Sequence, residues 1–381
     1  MVIRRKINTL PLFTFVLSLF LLRPMVLGYV YTTIGLTIVV ITTIVMYINN
    51  DFQLKLLQIK NKYILKYIFI TYAPVFLFNV FNNGMDEIKD VAIVAIASCC
   101  LCQIFSYDKS MKHFIDLISL IFSLIIISSI ITFILGFNKD FSSLEVFKFS
   151  IRNREDLLDG IRVYFPFSPL YSFFTTEKFA LPRFSFFFVE AGIAPGFFTP
   201  LFFFHLKFTK GYRKYFYMLI FFAGCLLSFS TSFFILFMSG IIVNYISSVR
   251  IKLSSIIILI VFATLGYIIF TKVPYIGFND KSQTHGTSFD DRVTALEFSI
   301  DNLGRWIKII CTTILFFLIL KRKSNKLIFL VIFIPIYLSG LINVVFFSPL
   351  FLAFCFFDSL YIDKTFYDNK LINRKEELVV S

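Results

Sequence analysis

The chain alternates between long apolar blocks and short charged interruptions. Blocks of roughly 18 or more apolar residues are long enough to cross a bilayer as helices. About twelve such blocks can be marked: 8–27, 30–48, 63–81, 89–106, 114–137, 184–206, 215–230, 231–248, 253–271, 305–320, 326–344 and 346–362. Their apolar residues are continuous rather than amphipathically spaced, so the pattern predicts an all-α, polytopic integral membrane protein. The spans form a single transmembrane domain, 1–362, followed by a tail, 363–381. The opening MVIRRKINTLPLFTFVLSLFLL has the basic start and apolar run of a signal peptide but no small-x-small cleavage site. With further spans following at once, it reads as a retained first helix.

The charged positions orient these spans. If Arg4, Arg5 and Lys6 lie in the cytoplasm, the inner loops hold Lys55, Lys60 and Lys62; Lys109 and Lys112; Lys207, Lys210, Arg213 and Lys214; Arg250 and Lys252; and Lys321, Arg322, Lys323 and Lys326. Every basic cluster then falls on one side, as the positive-inside rule requires, and both termini are cytoplasmic. The same assignment places two long loops, 138–183 and 272–304, outside the membrane. Loops of that length are uncommon unless they carry function.

Composition agrees. The chain is 58% hydrophobic and 16% charged, against roughly 45–50% and 25% in soluble domains. The net charge of +14 sits in short clusters between spans, which excludes a nucleic-acid-binding reading. The six cysteines all lie inside apolar runs, so they read as buried small hydrophobes rather than disulfides or metal ligands. No phosphate-binding Gly-rich loop, Asp-x-Asp pair, His-Glu-x-x-His or Gly-x-Ser-x-Gly motif is present. No cofactor and no metal are expected.

The most informative stretch is RFSFFFVEAGIAPG, from Arg183 to Gly196. On a helix, Arg183 and Glu190 would share one face two turns apart. Arg183 can snorkel at the outer interface. Glu190 would lie about 10 Å inside the segment, where ionisable residues face a cavity or a partner. Gly192, Pro195 and Gly196 make a poor continuous helix, and broken helices are tolerated where they line a cavity. In the second outer loop, Arg292 follows Asp290 and Asp291, with Ser288 or Asp290 as N-cap of a helix beginning RVTALEFSI. It is either a salt-bridged helix start or a phosphate ligand. Of the three histidines, His113 reads as surface and His205 as structural. His285, in the second outer loop, is a candidate proton acceptor.

RFSFFFVE at 183–190, LSFST at 227–231 and DDRVTALEF at 290–298, set among spans and two long outer loops, resemble the O-antigen polymerase (Wzy-type) and ligase superfamily. Phe186 stands where such proteins often carry glycine, and Glu190-Ala191 where they often carry Glu-Pro. Thr231 stands where many ligases carry arginine, which is the more polymerase-like pattern. The resemblance implies a metal-independent glycosyltransferase of the bacterial inner membrane. It would transfer undecaprenyl-diphosphate-linked oligosaccharide onto another lipid-linked repeat unit at the outer face. Arg183 and Arg292 would then bind the diphosphate, with Glu190 as base and His285 as second choice. Arg152, Arg154, Arg162, Tyr164 and Tyr171 of the first outer loop would contact glycan. Membrane lipid and a chain-length regulator protein are the implied partners. The alternatives are an O-antigen ligase and a lipid-linked oligosaccharide flippase. A flippase would be expected to show internal repeats and short outer loops, and neither is seen.

Overall fold

The computed structural model describes residues 9–22, 24–49, 85–105, 110–138, 141–149, 161–175 and 180–248, with scattered helical positions between 69 and 81 and between 306 and 338. Helices occupy the predicted apolar blocks: α1 (Thr9–Leu19), α2 (Thr32–Asn49), α3 (Met85–Phe105), α4 (Ser110–Asn138), α5 (Ala194–Phe208), α6 (Tyr212–Leu227) and α7 (Thr231–Ser248). The blocks 253–271 and 346–362, the second outer loop and the tail lie outside the described residues, as do most of 63–81 and 326–344 and part of 305–320.

Local chemistry explains why these segments stay helical. Hydroxyls inside the apolar helices donate to carbonyls one turn back: Thr43 to Val39 at 2.7 Å and Ser129 to Ile125 at 3.0 Å. Such back-bonding satisfies a polar group where no water reaches it. On α2, Gly35, Val39, Thr42 and Met46 recur at helical spacing and are buried, in a helix that packs on α1 and α3. Ile34, Ile41, Ile44 and Ile48 occupy the exposed face. Small residues admit close approach elsewhere. A Cβ on Gly224 of α6 would lie 2.7 Å from Ile126 Cδ1 of α4 and 3.0 Å from Phe198 Cδ2 of α5.

Two expectations are overturned. The chain is not all-α, because the first outer loop folds into an antiparallel sheet of order β1-β2-β3-β4. Its strands are β1 (Glu145–Phe149), β2 (Ile161–Tyr164), β3 (Ser168–Thr175) and β4 (Ala180–Phe184). These segments are rich in aromatic and β-branched residues, which suit a half-buried pleated surface. Along β2, Ile161 and Val163 are buried while Arg162 between them is exposed. The sheet is fastened to the end of α4 by a polar stripe. Thr132 donates to the Phe165 carbonyl at 2.7 Å, the Phe167 amide donates to Ser128 at 3.0 Å and Ser168 donates to Ser129 at 2.7 Å.

Twelve membrane-crossing helices are also not found. Among the described residues, two helices are long and apolar enough to cross a membrane, Thr32–Asn49 and Lys112–Gly136. The block 184–206 fails as one span because it divides. Its start completes β4, residues 185–193 form turns, and only the remainder is helical. The resulting α5 has 15 residues, about 22 Å of helix, against a hydrocarbon core of about 30 Å.

A dense aromatic core joins the sheet end to the helices. Phe188 stacks on Phe197 with centroids 5.1 Å apart and on Phe122 at 5.8 Å. Phe198 meets Phe122 edge-on at 5.3 Å and Phe186 at 5.1 Å. At the opposite end, His205 is buried against Ser119 at 2.9 Å and Thr209 at 2.8 Å, and stacks on Tyr217 at 4.2 Å. The histidine therefore ties α4, α5 and α6 together, the structural role that the sequence assigns to it.

Candidate functional site

The expected helical face carrying Arg183 and Glu190 does not form. Arg183 is the next-to-last residue of β4, half-buried and opposite Ser172 of β3. Glu190 lies in the turns between β4 and α5, also half-buried, with buried Val189 and Ala191 on either side. Proline and glycine in the segment favour this break, since proline lacks the amide that helix continuation needs.

The turn is held from three directions. The Ser185 amide donates to the Pro169 carbonyl at 3.1 Å, which continues the contact with β3. The segment after α1 pairs with it from another side: the Val26 amide donates to the Phe187 carbonyl at 2.8 Å and the Val189 amide to the Pro24 carbonyl at 3.1 Å. Met25 and Phe188 form an antiparallel bridge. Glu190 itself uses its backbone carbonyl to accept the Ile193 amide at 3.1 Å. The carboxylate is thus carried on backbone fixed just ahead of α5.

The third support comes from the turn between α6 and α7, which contains LSFST. Ser232 donates to the Gly192 carbonyl at 3.0 Å and lies 2.7 Å from the Ser230 hydroxyl. Ser228, Ser230 and Ser232 are all buried. Ser232, just after LSFST, therefore meets Gly192, two residues beyond Glu190 and 40 positions away. The sequence quoted LSFST as a motif but gave no reason for the serine after it to touch the Glu190 segment. That contact is the structural feature that sequence reasoning missed.

The backbone here is strained. Phe186 and Phe187 have φ of 53° and 67°, and Phe229, between the serines of the second motif, has φ of 43°. Non-glycine residues in this left-handed region cost of order 1–3 kcal/mol each and persist only where surroundings impose them. All three sit in the two turns that converge. Phe186 is fully buried against Phe184 and Phe198, so aromatic packing imposes the conformation.

The other predicted residues are distributed differently. Arg162 is exposed on β2, with Nη1 3.5 Å from Glu145 Oε2 of β1. Tyr164 is 1% exposed, and Phe141 and Phe173 meet its ring edge-on at 6.3 and 6.5 Å. That leaves its ring no face for a glycan. Tyr171 lies on β3. Arg152, Arg154, His285 and Arg292 lie outside the described residues. The exposed aromatics of this end are Phe147, Phe165 and Phe167. Phe167 links the sheet to the strained turn, 5.9 Å from Phe147 and 5.1 Å from Phe187 between ring centroids.

A half-buried carboxylate on backbone held by hydrogen bonds can accept a proton from a bound hydroxyl. No family model, curated protein or solved structure matches the chain.

Proposed function

We propose that the protein is a multi-pass inner-membrane polymerase of O-antigen-type glycan. It would transfer undecaprenyl-diphosphate-linked oligosaccharide onto a second lipid-linked repeat unit at the outer face. The observation that carries this reading is that the segments immediately after RFSFFFVE and LSFST meet, through the Ser232–Gly192 hydrogen bond of 3.0 Å. Two short motifs that resemble one superfamily are distant in sequence, yet the residues just after them are hydrogen-bonded to one another two residues from Glu190, the one acidic residue from 183 to 231.

In this reading an acceptor hydroxyl attacks the anomeric carbon of the donor glycan. The carbon–oxygen bond to the diphosphate breaks, and its electron pair leaves with the diphosphate. The hydroxyl proton passes to the Glu190 carboxylate, with His285 the alternative acceptor. Arg183 and Arg292 bind the departing diphosphate, since guanidinium offers two parallel hydrogen bonds to phosphate oxygens and keeps its charge. The exposed aromatics of the sheet end supply apolar faces for sugar rings. No nucleotide is consumed, because the lipid diphosphate is already the activated leaving group.

The test uses a deletion strain complemented with wild type, Arg183→Ala, Glu190→Gln or Arg292→Ala at matched membrane expression, with lipopolysaccharide resolved on a gel. Deletion is expected to leave core plus one repeat unit. Wild type should restore the ladder and Glu190→Gln should lose it. A deletion strain with no repeat unit on its core defeats the polymerase reading. Lipid-linked polymer accumulating outside then indicates a ligase, and single units trapped inside indicate a flippase.

A further inference from the structure

The end of the bundle opposite the sheet concentrates positive charge. The hairpin between α5 and α6 reads Lys207-Phe-Thr-Lys210-Gly-Tyr-Arg213-Lys214, four cations and no acid. Lys112 of α4 belongs to the same end, because Asp116 attracts Lys112, His113 and Arg213 together. Asp116 is the one carboxylate facing this group among the described residues.

Two features make the cluster costly when nothing covers it. First, Lys207 and Lys214 crowd each other. Lys207 lies in the last turn of α5, beyond the span expected at 184–206. Its burial, together with the Lys214 ammonium, pushes its amine below the usual lysine range. Second, α6 carries Arg213 and Lys214 in its first turn, with no acidic residue there and no side-chain cap from Gly211. That places cations against the positive end of the helix dipole. An anion relieves both penalties.

The neighbouring surface says which kind of anion. Tyr212, Tyr215, Phe216, Leu219, Phe222 and Leu226 are exposed along one face of α6. From Tyr212 to Leu226 this stripe runs about 21 Å along the helix. A soluble phosphate has no use for such a wall. An amphiphile does: its phosphate meets the cations while its acyl chain lies along the stripe, and tyrosine rings suit the boundary between them.

We propose that the α5–α6 hairpin is a binding site for the phosphate headgroup of an anionic membrane phospholipid, whose acyl chain runs along the exposed face of α6. This inference is independent of the glycan-transfer reading. It places the hairpin in the headgroup layer of the leaflet opposite the sheet.

The full chain is purified and reconstituted into nanodiscs of dioleoylphosphatidylcholine with and without dioleoylphosphatidylglycerol. Lipid retained on the protein is then counted by native mass spectrometry. Wild type is expected to retain phosphatidylglycerol in preference to phosphatidylcholine. The variant K207Q/K210Q/R213Q/K214Q should lose that preference by about tenfold or more, since each basic side chain near an anionic surface contributes a factor of about five. A control at the sheet end, K148Q/R162Q, should behave as wild type. Should the quadruple variant not fold, R213Q/K214Q carries the same comparison. Unchanged preference in the hairpin variant overturns the proposal, as does equal loss in the control. Displacement of the lipid by inorganic phosphate alone overturns it too, because the site would then read a free anion.

Discussion

At the scale of single residues, the three left-handed phenylalanines separate two effects that usually travel together. Phe186 is held by packing, and Phe229 by its turn. Glycine relieves the backbone at both positions, by of order 1–3 kcal/mol. At Phe186 it also removes a ring that is fully buried, and truncating such a ring costs about 3–5 kcal/mol. Phe186→Gly is therefore expected to lower the midpoint of thermal unfolding in detergent. Phe229 is only partly buried, so Phe229→Gly should leave the midpoint unchanged or raise it. Ser232→Ala tests the joint between the two motifs. It leaves the Gly192 carbonyl without its serine donor, a loss of about 1–3 kcal/mol for a buried acceptor. In the deletion strain it should shorten or abolish the ladder at unchanged expression. A full wild-type ladder from this variant would show that the joint does not position Glu190.

At the scale of elements, the contacts that matter lie between pieces far apart in sequence. The polar stripe Ser128, Ser129 and Thr132 appears in a helix otherwise suited to lipid, and its purpose emerges only when the β2–β3 hairpin sits on it. Thr132→Val keeps the shape and removes the donor to the Phe165 carbonyl. Hydrogen exchange in β2 and β3 should then rise while α2 and α3 stay protected; uniform loss of protection would mean that the stripe serves the whole fold rather than the sheet. The crossing of α4, α5 and α6 at Gly224 is mainly apolar, with Thr199 and Cys225 in a long 3.8 Å contact beside it. Gly224→Val forces Ile126 and Phe198 apart, and overpacking of this kind costs about 1–3 kcal/mol. Thermal unfolding should report that loss, with the sheet–α4 hydrogen bonds intact.

At the scale of the whole molecule, the glycan-transfer reading needs the sheet and the α5–α6 hairpin on opposite sides of the membrane. Lys148 on β1 and Lys210 in the hairpin are both exposed, so K148C and K210C report the two ends. A membrane-impermeant maleimide added to intact spheroplasts should label K148C and spare K210C until the membrane is opened. Labelling of both from one side would remove the basis for an outward-facing site. Cys100, Cys225 and Cys311 are buried but Cys99 is half-buried, so wild type labelled in parallel supplies the background from native cysteines.

The sequence by itself determined where most of the described helices lie, because a long apolar run has to satisfy its backbone polar groups within itself, and a helix does so. It also marked the segment around Glu190 as broken, from Gly192, Pro195 and Gly196. It misjudged what the break contains. Strand formation in 145–184 depends on partners across the sheet and on the end of α4, and β-propensity expresses itself only in such a context. Apolar length likewise overcounted spans, because Phe184–Val189 is apolar for burial against the segment after α1 and against α4 and α5 rather than for contact with lipid. The contact of Ser232 with Gly192 and the burial of Tyr164 were decided by tertiary structure alone. Each depends on which distant segments the folded chain brings within a few ångströms, and no local pattern encodes that.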